Sequence, residues 1–599
     1  MSQNGLTIAE AVSEYIVEPS RSQLLKLISA YSTSESANEA LYRLTGIRGF
    51  FPNPEMLAEF QQGLRQAVLS VDVRQNREWG DFQTPPELAA NVCNYLERLG
   101  ISPQIIIEPT YGAGNFILAA LRSFPTAELV YGVEIQAKYQ WHCKVAVLAE
   151  ALRGQRPSAE IELHQDDIFT HPFPQRILKA QNILIIGNPP WVTNAELGGL
   201  EAHNLPAKRN IKGLNGLDAV TGKSNFDLGE FVLLRLLDLF SLQPGALAML
   251  CKNSVIKNLI ELLPKRRFSV SNIRALEINA SREFGVAVAA SLLVLEMGAA
   301  KSVFTCQVTA LDYPDRVLKT FGWVAHRFVA NLESYQAHAE LDGQSPFMWR
   351  QGLKHDCAQI MELNIQDRGY RNGNNEPVDV ETEWVYGLLK SSDLRRFEVD
   401  RPRKKVIITQ HSLGEDTSSL QQQAPKLWRY LLRNSKYFEK RKSSIYRHKP
   451  RFSIFGIGDY SFKLYKVAIS ALYKEPCFSV VLPVDNRPVM LDDTCYFLGF
   501  DTYLEALFTA SLLNSPLVKQ FLESIVFTSA KRPYTKEVLM RIDLTQAVTR
   551  LSFHNLSAVW SETNYRPRVS VTEAAFEAYK QQLLSLGQKS QGLQLRLGI

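Results

Sequence analysis

The chain has 599 residues, 45% hydrophobic and 21% charged, with a net charge of +6. That is long enough for two or three domains with cores of their own and ordinary for a globular protein, which excludes a disordered or fibrous chain. No run of about eighteen uncharged apolar residues occurs, so no membrane span is expected; the seven scattered cysteines, without a CxxC pair, point to reduced thiols in a cytoplasmic protein.

Residues 1–75 read as a helical N-terminal segment. The opening "MSQNGLTIAEAVSEY" lacks the layout of a signal peptide, while "SQLLKLISAYS" and "EMLAEFQQGLRQAVL" space their apolar residues for amphipathic helices. From about residue 100 the texture changes. "QIIIEP", "ELVYGVE", "IELHQDD" and "NILIIGNPP" are short apolar strands separated by helical stretches such as "NFILAALRSF" and "KYQWHCKVAVLAEALRG". The alternation predicts an α/β domain over residues 76–300, a doubly wound Rossmann-like sheet continued by "ALAMLCK", "IRALEIN" and "AASLLVLEM".

In such sheets ligands bind at the carboxyl ends of the strands, where strand order reverses. After the first strand comes "EPTYGAGNF", residues 108–116, in which Gly112 and Gly114 allow a tight turn and close backbone approach. A full GxGxxG is absent, since Ile117 takes the third place, and a lone GxG is more often a plain turn. The second strand ends at Glu134, 26 residues after Glu108, near the offset at which an acidic residue grips ribose hydroxyls. The third places Asp167 at its tip. The fourth stops at two prolines, neither of which can donate to a ladder, so Asn188 and Trp191 are held on a rigid turn. Singly, each acidic residue reads more readily as a surface charge or helix cap; four such strand ends in order do not.

Residues 301–345 are a poorly marked connection. Over 346–545 short β-like runs ("KKVIITQ", "RFSIFGIG", "FSVVLPV") mix with a basic tract, and 546–599 read as a helical tail. From Lys390 to Arg451 there are 17 Lys/Arg against 6 Asp/Glu, a local net of +11 that leaves −5 for the rest. Such concentration fits a phosphate-tracking surface, with Arg401, Arg403, Lys404, Lys405, Arg441, Lys442, Arg447 and Lys449 as candidates; charge alone fits a solvated helical face equally well.

This order of motifs resembles the S-adenosylmethionine-dependent DNA amino-methyltransferases, specifically the gamma class that methylates adenine N6. The family's glycine motif, D/E-P-x-x-G-x-G-x-F, is met throughout by "EPTYGAGNF", and its catalytic motif, [DNS]-P-P-[YFW], by "NPPW". A chance match to that tetrapeptide in a chain this long is roughly a one-in-a-hundred event. "GDFQTPPELAANV", residues 80–92, resembles the motif that precedes the glycine loop in this class. "RQGLKHDCAQIMEL", "YRHKPRFSIFGIGDYSFKLYKV" and "SLLNSPLVKQFLESIVFTSAKRPYTKEVL" look like the Taq-like specificity domain. The resemblance covers roughly residues 75–545. Departures are Trp191 for the commoner Tyr, Ile168 where an aromatic often follows the Asp, and His355 where a glycine is often seen.

The resemblance implies roles. Thr84, Pro85, Glu108, Pro109, Gly112 and Gly114 would lie along the methionine end of S-adenosylmethionine, Glu134 on its ribose, and Asp167 with the Ile168 N–H on its adenine. Asn188 and the Pro189 carbonyl would accept from the target amine, with Pro190 stiffening the turn. Trp191 and Phe284 would stack on the flipped base, although a Phe before an apolar strand is usually core. No metal is implied: Asp166-Asp167 looks like a metal pair, but a structural or cofactor role is favoured. The expected partner is double-stranded DNA, with a cognate restriction endonuclease as a second. Rival readings are a cytosine N4-methyltransferase, a protein or RNA methyltransferase, and a fused restriction–modification protein or a DNA-binding modification subunit of a larger restriction complex.

Overall fold

A computed structural model describes residues 3–66, 82–192, 227–366 and 369–597. The chain divides into two units, Met1–Phe328 and Val329–Ile599. The first unit opens with four helices, α1 (Gln3–Tyr15), α2 (Ser20–Ser29), α3 (Ser34–Thr45) and α4 (Pro54–Arg65). Their starts are written locally: the Thr33 hydroxyl accepts from the Ser36 N–H, and the Asn53 side chain accepts from the Met56 N–H ahead of a Pro at the first helical position. The last residues of "EMLAEFQQGLRQAVL", from 67 on, lie outside the described residues, as do Gly80 and Asp81.

After α5 (Pro86–Arg98) the chain enters an open sheet: β1 (Ile105–Glu108), α6 (Asn115–Ser123), β2 (Leu129–Glu134), α7 (Ala137–Leu152), β3 (Glu160–Gln165) and β4 (Ile183–Gly187). β5 (Gly245–Lys252), β6 (Val270–Ile278), β7 (Ala290–Met297), β8 (Thr305–Ala310), β9 (Lys319–Val324) and β10 (Arg327–Val329) follow. The spatial order is β10-β9-β8-β6-β7-β5-β4-β1-β2-β3. β3, β2, β1, β4 and β5 are mutually parallel, and β7 is inserted antiparallel between β5 and β6. All of β2 and β4 is buried, as expected of strands covered on both faces. The α/β doubly wound sheet read from the sequence is therefore present.

One expectation is corrected. Residues 305–329, assigned to a connection, extend the sheet as β8, β9 and β10. "TCQVTA" and "KTFGWV" carry polar residues and bury only part of their length, so their apolar run is too weak to mark them as strands.

Because β2 and β3 lie on one side of β1 and β4 on the other, the strand order reverses at β1 and opens a crevice at the carboxyl ends of β1 and β4. The second unit holds a five-stranded and a six-stranded sheet with helices, ending in Phe553–Glu562 and Glu573–Leu597. Among the described residues no helix is long and apolar enough to cross a membrane.

Candidate active site

The crevice contains a cavity of about 350 Å³ lined by the tips of β1 to β4. Gly112, at φ +51°, turns the chain above β1, and a Cβ there would stand 2.5 Å from the Gln83 Oε1, which itself accepts from the Ala113 N–H at 2.8 Å. Gly114 serves a different need. At φ +87° it begins α6, and a Cβ would stand 2.4 Å from the Cys143 Sγ of α7, so it permits close packing and does not line the cavity. Glu134 enters with both oxygens oriented, accepting from the Gly112 N–H at 3.0 Å and the Gln136 N–H at 2.9 Å. Glu108 lies deeper, 2% exposed, with its Oε2 lacking a partner among the described residues. Burial, with the Glu134 charge beside it, pushes its carboxyl well above the usual range and favours the neutral acid.

At the end of β4, Asn188, Pro189, Pro190 and Trp191 all line the cavity. The Asn188 Nδ2 donates to the Phe82 carbonyl at 3.0 Å and to the Thr84 Oγ1 at 3.2 Å. A carbonyl only accepts, so the amide cannot be flipped, and the Asn188 Oδ1 is left buried without a partner among the described residues. An acceptor in that state costs about 1–3 kcal/mol, so its retention calls for a use. The turn is braced from behind: the Leu228 N–H donates to the Val192 carbonyl at 2.9 Å. Asp227 caps the helix Leu228–Phe240 and pairs with Lys252 at 2.7 Å. Burial raises the Asp227 carboxyl, and the Lys252 ammonium opposes that rise.

The Trp191 indole N–H donates to the Leu250 carbonyl at 3.3 Å, which fixes the ring at the wall. Phe284 packs edge-on against it at 5.0 Å but does not itself line the cavity. Phe82, 6.0 Å from Trp191, does. Asp167 and Ile168 line the far end, where the Asp167 carboxylate accepts from the Phe169 N–H at 3.0 Å. Thr84 and Pro109 line the cavity; Pro85 only precedes α5 and does not. Sequence reasoning missed Phe82, Gln83 and Tyr139 among other residues of the wall. The first two adjoin Thr84 in the motif at 80–92, the one signal that could have found them. Among the described residues no group of three or more His, Cys, Asp or Glu is placed to hold a metal.

In the second unit the eight cationic candidates separate into two sets. Arg403 pairs with Asp393 and Ser392, and Lys404 reaches Glu362 at 3.0 Å. Arg441 donates to the Ser453 carbonyl at 2.7 Å and lies 3.7 Å over the Tyr446 ring. These three are engaged within the unit. Arg401, Lys442, Arg447 and Lys449 are exposed and Lys405 half-buried.

No family model matches the chain. It is 37% identical over 469 residues, spanning 78% of this chain and 96% of the relative, to the "Type II methyltransferase M.NspV" of Nostoc sp. (strain ATCC 29411 / PCC 7524). Among solved structures it is similar to the Type IIL restriction-modification enzyme MmeI in complex with DNA. That likeness has TM-score 0.50 at 12% identity and covers 90% of this chain and 81% of that one, a likeness of fold. At that identity and coverage the curated relative settles the family: the chain belongs to the type II DNA methyltransferases of restriction–modification systems.

Proposed function

We propose that the chain is a gamma-class DNA adenine N6-methyltransferase, using S-adenosylmethionine and carrying its sequence specificity in the second unit. The observation that carries this reading is the Asn188 Oδ1, buried without a partner among the described residues and locked in orientation by Phe82 and Thr84.

The residues present suit the cofactor. Gly112 brings bare backbone to the cavity wall, Glu134 offers an oriented carboxylate for two ribose hydroxyls, and Asp167 offers an acceptor for the adenine amine. Glu108, whose carboxyl burial pushes up and whose Oε2 lacks a partner among the described residues, lies at the methionine end. When bound, S-adenosylmethionine supplies an electrophilic methyl group on a sulfonium.

The chain's own part is to make a poor nucleophile adequate. The lone pair of an adenine N6 is delocalised into the ring. Two acceptors aimed at its hydrogens, the Asn188 Oδ1 and the Pro189 carbonyl, favour a pyramidal nitrogen with a localised pair. Catalysis of this kind is positioning and electrostatics, with no covalent enzyme intermediate. A base in a duplex must leave the stack to reach such a cavity, at a cost of a few kcal/mol. Stacking on Trp191 recovers about 1–3 kcal/mol of it. The relative is named a type II methyltransferase and the structural neighbour was solved in complex with DNA, which supports DNA as substrate; that the DNA is double-stranded and that a cognate restriction endonuclease is the functional partner belong to the same proposal.

The test is to incubate the protein with duplex DNA and methyl-labelled cofactor, then identify the modified base and its context. N6-methyladenine in one sequence context is expected. N4-methylcytosine as the sole product, or label in protein or RNA alone, overturns the reading.

A further inference from the structure

Behind the far end of the cavity, a file of side chains runs from β2, the neighbour of the edge strand β3, to the Asp166-Asp167 turn. The Tyr131 hydroxyl on β2 lies 2.8 Å from the His171 Nε2, and the His171 Nδ1 lies 2.8 Å from the Asp166 Oδ2. The other Asp166 oxygen accepts from the Asp167 N–H at 2.8 Å. The turn also closes on itself, the Asp167 carbonyl accepting from the N–H groups of Thr170 at 3.0 Å and His171 at 2.8 Å. Tyr131 and His171 are buried, at 1% and 4% exposure, whereas Asp166 lines the cavity.

With the proton on Nδ1, His171 donates to Asp166 and accepts from Tyr131, so each ring nitrogen is satisfied. Around this imidazole stand the His164 ring at 5.2 Å and the Phe173 ring at 5.0 Å. The Arg235 guanidinium donates to the His171 backbone carbonyl at 3.4 Å. Burial pushes the Tyr131 hydroxyl up to about 12, so it stays a donor, and the His171 bond holds the Asp166 carboxyl below its ordinary value. Nothing in the proposed chemistry uses this file, yet its end is the N–H of the residue assigned to the cofactor's adenine.

We propose that His171 is a positioning residue for adenine recognition: through Asp166 it ties the Asp167 turn to Tyr131 on β2, so that the Asp167 carboxylate meets the adenine amine in a fixed orientation. This rests on the reading that Asp167 receives the cofactor's adenine. The arrangement follows the logic by which outer partners orient the groups that touch a ligand.

The probes are S-adenosyl-L-homocysteine and its 6-oxo analogue, S-inosyl-L-homocysteine, titrated by calorimetry. The analogue replaces the amine with an acceptor that repels a carboxylate and puts a proton on ring N1, opposite the Ile168 N–H, so the affinity ratio reports the contacts of the Asp167-Ile168 turn with the adenine edge, and Asp167→Ala isolates the carboxylate's share. In His171→Phe the preference for the adenosyl ligand should fall roughly five- to tenfold, the net effect of losing one ordinary hydrogen bond. His171→Asn, whose amide can still donate to Asp166, should recover most of it, and Tyr131→Phe should show a smaller loss. A packing role gives the opposite order, with Phe near wild type, Asn worse, and both ligands weakened equally. An unchanged ratio in His171→Phe, or that reversed order, overturns the inference. Asp167→Ala separates the two levels. If it lowers the ratio while His171→Phe does not, only the inference fails; if it leaves the ratio unchanged, the Asp167 assignment fails and the inference with it.

Discussion

Asn188 can offer its oxygen to a substrate only because the Phe82 carbonyl and the Thr84 hydroxyl hold its Nδ2. That separates its role from those of Glu134 and Asp167, which face the proposed cofactor. Asn188→Ala should therefore slow single-turnover methylation by about two to three orders of magnitude, the effect of deleting one preorganised polar group. Binding of S-adenosyl-L-homocysteine should stay within about twofold, since a ligand that lacks the target amine does not use this acceptor. Asn188→Asp should not rescue the rate. Its second oxygen would face the Phe82 carbonyl where the native amide has a donor, so one acceptor would be turned against another. Equal losses in rate and in ligand affinity for the Ala variant would move Asn188 from the target site to the cofactor site.

At the scale of elements, the strand Lys404–Ile407 shows why a basic tract cannot be read residue by residue. Lys404 and Lys390 both reach the buried Glu362, at 3.0 and 2.6 Å. Burial alone would raise that carboxyl, but the two ammonium groups hold it below its ordinary value. Lys442, Arg447 and Lys449 lie on an exposed stretch around the short turn Ser444–Tyr446. Replacing these three with Gln should flatten the dependence of log Kd for duplex DNA on log salt by about 2.7, at about 0.9 per phosphate contact. Lys404→Met should leave the slope alone and lower the melting temperature instead, because it removes half of the compensation for a buried charge. A slope moved by Lys404 and not by the other three would reverse the assignment. The glycine turn, Glu134, Asp167 and Asn188 were legible in the sequence because each sits at a fixed place after an apolar run that marks a strand. The partners of Arg403 and Lys404, 10 and 42 residues away, were not, since only the fold brings them together. Phe82 was not, because an aromatic ahead of a helix reads as core. The edge strands β8 to β10 were not, because half-exposed strands lack the continuous apolar run of buried ones.

At the scale of the whole first unit, α1 to α4 belong to the core that supports the site. Ile8, Val12, Leu41, Phe50 and Phe60 are each fully buried in the same cluster as Trp141 and Val145 of α7 and Val130 of β2. Ile47 bridges to Ile161 as a parallel neighbour beside β3, and Arg48 holds Glu160 with two bonds, at 2.6 and 2.8 Å. Beneath them the Lys144 ammonium of α7, 2% exposed, donates to the Phe50 carbonyl at 2.7 Å. Burial lowers its pKa to about 8. Removing residues 1–65 would strip that acceptor from a buried amine and open a broad apolar face of α7. Each large side chain lost from such a core is worth about 2–5 kcal/mol, and several are lost together, against a total stability of about 5–15 kcal/mol. The truncated chain should fail to fold to a soluble form that binds S-adenosyl-L-homocysteine, although every residue of the cavity is still encoded. Leu41→Ala in the full chain is the milder counterpart. It should lower the melting temperature by several degrees while ligand affinity measured well below that temperature stays near wild type. Amide exchange over α7 is the deciding measurement. If the truncated chain keeps the protection of residues 137–152 and binds the ligand normally, the helices are an appendage, and the core of this unit ends at the sheet.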